Sequence, residues 1–176
     1  MEEIYYSAAE CLEIQKLDVR FQNVSLRVTL NGINIDVVPA RQQHALGGAA
    51  SLYRRKAKTW TQTNVPRQIK YVKNSKRTRE IRLVKVWRNL HGLEFPSFAL
   101  ELAVIRALKG ASGGGLDRNL LTAFEWLAEN IADARLEDPG NTANDVAEDM
   151  TENERQAVAG AALQGMRARY WDSIVW

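Results

Sequence analysis

Asn31-Gly32 lies between two stretches in which apolar residues fall at every second position. Val19, Phe21, Val24, Leu26, Val28 and Leu30 precede it, and Ile33, Ile35 and Val37 follow. No other feature constrains the fold as strongly. A two-residue connection of this kind needs positive φ at both central positions, which Asn and Gly tolerate, and it sets the twist and register of the flanking strands. The period of two puts Ile33, Ile35 and Val37 on one face of the second strand, with Asn34, Asp36 and Val38 on the other. Pro39, which cannot donate to a ladder, ends it.

Around this hairpin the period is helical. Ile4 to Leu17 reads as one helix ending near Asp18. Arg41 to Thr63 has weak periodicity and two glycines, and reads as loop with a short strand around Tyr53. Asn64 is placed to cap a helix to about Asn74, with Pro66 tolerated in the first turn. Ser75 to Leu90 follows, closed by His91-Gly92. Ser97 is the expected N-cap of a helix running to Lys109 and stopping at Gly110. Leu116 to Asp133 is a further helix. Thr151 and Glu154 form a T-x-x-E capping box opening a helix to about Tyr170. The pattern predicts an α+β protein, with a small antiparallel β element in front and a helical bundle behind.

A chain of 176 residues, 45% hydrophobic and 26% charged, makes one domain, or a small domain plus the edge of another. No apolar run approaches the length that spans a bilayer, and the acidic start Met1-Glu2-Glu3 does not resemble an export signal. Cys11 is the single cysteine, so an internal disulfide is excluded and a cytoplasmic setting is expected. With only His44 and His91 beside it, a Cys/His zinc site is excluded as well.

The net charge of +3 conceals a lopsided distribution. Thirteen Lys or Arg residues and one acid, Glu80, lie between Tyr53 and Arg88, whereas Asp117 to Arg155 holds eleven acids and three arginines. The basic block would attract triphosphates or nucleic acid, although most of its members are expected to be solvated surface charges.

Four segments carry a resemblance. They are Arg82-Leu83-Val84-Lys85-Val86-Trp87, Pro96-Ser97-Phe98-Ala99-Leu100-Glu101-Leu102, Asn34-Ile35-Asp36-Val37-Val38-Pro39-Ala40, and Leu136 to Asn144 with its Asp138-Pro139-Gly140-Asn141 turn. Together they resemble the 2′-5′-oligoadenylate synthetases and the bacterial enzymes similar to cyclic GMP–AMP synthase. That resemblance implies a polymerase-β-like nucleotidyltransferase, with the remainder of its catalytic sheet in 1–63 and a helical domain in 64–176. It implies ATP or other nucleoside triphosphates as substrates, Mg²⁺ (or Mn²⁺) as cofactor, and a linear or cyclic oligonucleotide second messenger in antiviral defence as product. Lys85 and Ser97 fall where the family contacts the nucleotide. Asp36 falls at the third metal-binding, catalytic aspartate, and Asp138, Asn141 and Asn144 form a supporting loop. The family's Gly-Ser turn and Asp-x-Asp strand have no counterpart here, since no Asp-x-Asp occurs in the sequence. The chain is therefore expected to be the C-terminal majority of such an enzyme, and to self-associate or take a completing chain at its sheet edge.

Each candidate also has a plainer reading. Asp36 would point to solvent beside Asn34; Lys85 would lay its stem along the core; Ser97 would cap its helix; and Asx turns alone account for the Asp138 loop. Glu101 is expected in a structural ion pair. Tyr53, Trp60 and Tyr71, interleaved with basic residues, would more often be core than platforms for stacked bases. The alternative function is a non-catalytic protein that binds nucleotide, or RNA through segment 53–88.

Overall fold

The computed structural model describes residues 2–43, 48–111 and 114–168. They divide into two compact units, Met1–Gln68 and Ile69–Trp176.

In the first unit, α1 (Glu2–Ile14) precedes two three-stranded antiparallel sheets. Lys16, at φ 60°, breaks the helix before the expected end near Asp18. The first sheet has the order β1 (Val19–Phe21), β2 (Leu26–Leu30), β3 (Ile33–Val37). Its hairpin is the one the Asn-Gly pair predicts: Leu30 pairs with Ile33, and Asn31 and Gly32 stand at φ 50° and 78°. The alternating run before it is not one strand. It breaks at Gln22–Ser25, where the buried Tyr5 hydroxyl donates to the carbonyls of Gln22 and Ser25, 2.9 Å from each. Tyr5, Ala9, Leu26 and Tyr53 form the core of this unit. Burial pushes the Tyr5 phenol above its ordinary pKa.

The second sheet corrects the loop expected over Arg41 to Thr63. It comprises β4 (Ala40–Gln42), β5 (Ala49–Arg54) and β6 (Thr59–Asn64). The alternation is present, but Ser51 and Tyr53 are its buried positions on β5, and Thr63 on β6. Small and hydroxyl side chains carry little apolar signal. Arg55 joins the sheets, its backbone N–H donating to the Asn23 carbonyl at 2.7 Å and its Nε to that of Gln22 at 3.1 Å.

The second unit is helical. Its elements are α2 (Val65–Ser75), which begins ahead of the division, α3 (Thr78–Leu90), α4 (Ser97–Ala107), α5 (Leu116–Asn130) and α6 (Glu152–Arg167). A ribbon of β7 (Glu137–Asp138) and β8 (Asn141–Asp145) precedes α6. Asn64 caps α2, its Oδ1 accepting from the Arg67 N–H at 3.1 Å. α3 starts three residues later than expected because Lys76 takes φ 58°. Thr151 and Glu154 form the capping box of α6 in both directions; Tyr170 lies outside the described residues.

Trp87 and Phe124 are fully buried at the centre of this bundle, with ring centroids 4.9 Å apart. Arg155 ties the turns around it, donating to the carbonyls of Ile131, Ala134 and Ala147. Glu80 is buried and held by Asn119 Nδ2 at 2.8 Å and by Arg77. No helix among the described residues is long and apolar enough to cross a membrane.

Two glycines of α6 differ in a way that stability measurements resolve. A Cβ on Gly165 would lie 3.1 Å and 3.2 Å from ring atoms of Phe124, which has no room to retreat, whereas a Cβ on Gly160 would meet nothing within 4 Å. Gly165→Ala is expected to destabilise by about 1–2 kcal/mol, overpacking outweighing the helical preference for Ala. Gly160→Ala is expected to stabilise by about 0.5–1 kcal/mol. Urea denaturation of both variants checks the opposite signs.

Candidate functional site

Helices α3 and α4 face one another through two polar rungs. Lys85 and Arg88, at i and i+3, share a face of α3, and Ser97 and Glu101, at i and i+4, share a face of α4. Lys85 Nζ lies 2.5 Å from Glu101 Oε1, with both side chains partly exposed. Arg88 Nη1 donates to Ser97 Oγ at 3.0 Å and to the Phe95 carbonyl at 2.8 Å. The expected Glu101 ion pair is therefore present, and its partner is the lysine assigned to nucleotide. Arg88, which helical spacing places on the same stripe as Lys85, is the residue that meets Ser97.

Ser97 does not cap its helix. The N-cap is Pro96, with no side-chain cap bond, and Ser97 is the first helical residue. Pro96 brings the chain in extended, so the serine turns its hydroxyl towards Arg88. The amides of the first turn of α4, which lack intrahelical acceptors, lie beside that hydroxyl. Two cations, a hydroxyl and a helix N-terminus make a locale suited to phosphate oxygens.

In the other unit, Asp36 occupies the polar face of β3. Arg27 stands opposite it on β2, donating from Nε to Oδ1 at 2.8 Å and from Nη2 to Oδ2 at 2.9 Å. These bonds hold the Asp36 carboxyl below the usual carboxylate range. Among the described residues no three His, Cys, Asp or Glu side chains gather closely enough to hold a metal ion. A carboxylate with both oxygens on a guanidinium, outside any such cluster among the described residues, does not fit the Mg²⁺ or Mn²⁺ centre that the motif implies.

The Asp138 loop is built of turns. Asp138 is buried, and its Oδ1 accepts from the Gly140 N–H at 2.6 Å. Asn141 Oδ1 accepts from the Ala143 N–H at 3.3 Å, and its Nδ2 donates to Asn144 Oδ1 at 3.4 Å. Asp145, unremarked in the sequence, accepts from the backbone of Leu136 and Ala147 and closes the ribbon.

The remaining candidates separate by burial. Tyr53 is core and offers no face to a base, while Trp60 and Tyr71 are exposed. Within the basic block, Arg55, Arg77, Lys85 and Arg88 are bound to protein acceptors. Lys56, Lys58, Arg67, Lys70, Lys73, Lys76, Arg79 and Arg82 are exposed. A cavity of about 840 Å³ opens elsewhere in the helical unit, between Arg106, Lys109, Trp126, Glu129 and Asp133; neither Lys85 nor Ser97 lines it.

No family model matches the sequence, and neither does any curated protein. Solved structures do match. The E. coli MS115-1 CdnC:HORMA-deltaN complex aligns over 93% of this chain and 62% of that one, with a TM-score of 0.69 and 20% identity. The same E. coli CdnC with ATP aligns over 93% and 64%, at 0.70 and 21%. The Bradyrhizobium diazoefficiens CD-NTase CdnG in complex with GTP aligns over 99% and 70%, at 0.71 and 14%. The chain thus spans somewhat under two thirds of the length of the two E. coli chains. At such identities the likeness is one of fold: this chain has a CD-NTase-like nucleotidyltransferase fold.

Proposed function

We propose that the chain serves a nucleotidyltransferase that joins nucleoside triphosphates into a linear or cyclic oligonucleotide, and that α3 and α4 hold the triphosphate. One observation carries this reading. On a fold whose neighbours were solved with ATP and with GTP, Lys85, Arg88 and Ser97 converge beside the N-terminus of α4. In this reading Lys85 turns from Glu101 to phosphate oxygens, Arg88 adds a planar fork, and the Ser97 hydroxyl donates. Mg²⁺ (or Mn²⁺) arrives with the triphosphate rather than at a site prepared by this chain. Asp138, Asn141 and Asn144 keep the adjoining ribbon in shape. Segments 1–63 and 64–176 act as the sheet and helical parts, and Asp36 is the acid of the sheet.

Calorimetry with MgATP and MgGTP tests the proposal. Lys85→Ala should weaken binding about tenfold or more, the scale of a lost hydrogen bond to a charged group. Glu101→Gln should leave binding intact or strengthen it, because it releases Lys85 from its internal counter-ion. Equal losses of thermal stability in both variants, without any change in nucleotide affinity, would reduce the pair to a structural bridge.

The eight exposed cations support a second reading, RNA binding. In that case affinity for duplex RNA would fall steeply with salt, as condensed counterions are released, and Lys85→Ala would leave it almost unchanged. Filter binding at two salt concentrations separates the readings; nucleotide binding sensitive to Lys85, with weak RNA binding, is the expected result.

Asp36 yields a pH prediction. Its folded pKa is depressed by Arg27, so its contribution to stability is present above the ordinary carboxylate pKa and lost as pH falls through the folded value. Arg27→Ala should return the Asp36 carboxyl towards the ordinary range in NMR titration, and should flatten the fall in stability on acidification.

A further inference from the structure

We propose that the outer edge of β3 is a self-pairing surface, on which a second copy of this chain adds its own β3 antiparallel, centred on Ile35. The inference is independent of the nucleotide reading.

Strand β3 is hydrogen-bonded only to β2 among the described residues. Its parity follows from the hairpin. In a two-residue connection the closing pair, Leu30 with Ile33, is hydrogen-bonded, and bonding alternates along the ladder. Ile33, Ile35 and Val37 therefore direct their N–H and C=O groups to β2. Asn34 and Asp36 direct theirs outward. Residues 33–36 are all exposed, so none of the described residues covers that edge. No proline, lysine or bulge lies within Ile33–Val37 to discourage a partner strand. The apolar face continues to the hairpin tip, where Leu30, Ile33 and Ile35 remain 50%, 65% and 41% exposed.

The side chains select both the partner and the register. Centring two antiparallel copies on Ile35 sets Asn34 opposite Asp36 of the second copy, and the reverse, as two hydrogen-bonded pairs. Asn34 Oδ1 is already occupied by the Thr29 hydroxyl at 2.9 Å, which leaves the amide N–H groups as donors. The Asp36 carboxylate, fixed by Arg27, has lone pairs left to accept them. On the other face Ile35 meets Ile35, and Ile33 meets Val37. Shifting the register so that Asp36 meets Asp36 places like charges directly opposite, which is unfavourable. The pairing is isologous and closes as a two-fold dimer with a continuous sheet across the interface.

The centre of this register is a non-hydrogen-bonded pair, with Cα atoms about 4.5 Å apart, inside the range that a disulfide spans. In a Cys11→Ser background, Ile35→Cys should form a disulfide-linked dimer on mild oxidation, while Asn34→Cys should cross-link several-fold more slowly. Sedimentation of the unmodified chain should show a concentration-dependent rise from 19.9 kDa towards twice that mass. Asn34→Asp, which sets two aspartates against two aspartates, should weaken dimerisation at least tenfold, with circular dichroism confirming that the variant folds. Should it not fold, the two cysteine variants decide alone. A chain that stays monomeric at all concentrations would overturn the proposal. So would a dimer indifferent to Asn34→Asp, or one that cross-links equally well at both cysteines, since another surface or a strand of another protein would then be the occupant.

Discussion

The close approach of Phe124 to Gly165 fixes the helical unit. The ring has Trp87 on one side, at 4.9 Å between centroids, and the bare Cα of Gly165 on another. Three helices, α3, α5 and α6, thus meet at one side chain. Interiors this dense move as units, because a displacement of one neighbour has to be taken up by the others. The orientation of α3 about its own axis, and with it the face bearing Lys85 and Arg88, is set by how Trp87 seats on that ring.

The consequence reaches α4 directly. With Trp87 and Val84 inward, Lys85 and Arg88 stand at the margin, where Glu101 and Ser97 meet them. On the proposed function, a margin suits anion recognition. The cations are dry enough to be oriented, yet exposed enough to reach a soluble ligand, and full burial of either would cost more than its contacts return. The group of Arg77 with the buried Glu80 and Asn119 shows the contrasting case: its hydrogen bonds run to internal partners, and its part is to hold the bundle.

The sequence announced the hairpin because Asn-Gly leaves few conformational options and Ile33, Ile35 and Val37 are unmistakably apolar. It hid the second sheet because Ala, Ser and Thr alternate there without a hydropathy contrast. The capping box at Thr151 was legible from two residues alone. Ser97 misled for the opposite reason: capping preference says which residues suit an N-cap, not where the helix starts, and Pro96 moved the start by one. The Arg27–Asp36 pair joins residues nine apart through strand register. It becomes visible only after Leu30 is matched with Ile33 and the ladder is counted back. The four ordered motifs pointed to the fold that the structural neighbours share, yet they could not say that Lys85 already has a carboxylate at hand.

Arg88 occupies a position with conflicting electrostatics. It belongs to the last turn of α3, where a cation is welcome against the negative end of that helix. The same guanidinium bonds the first residue of α4, where the helix end is positive and a cation is not. The protein therefore tolerates a small repulsion at this junction, and an arriving anion would relieve it. On the proposed function, stability and ligand affinity would be coupled with opposite sign here. A side chain that relaxes the junction would fold more firmly and have less to gain from an anion, the ordinary compromise between stability and binding.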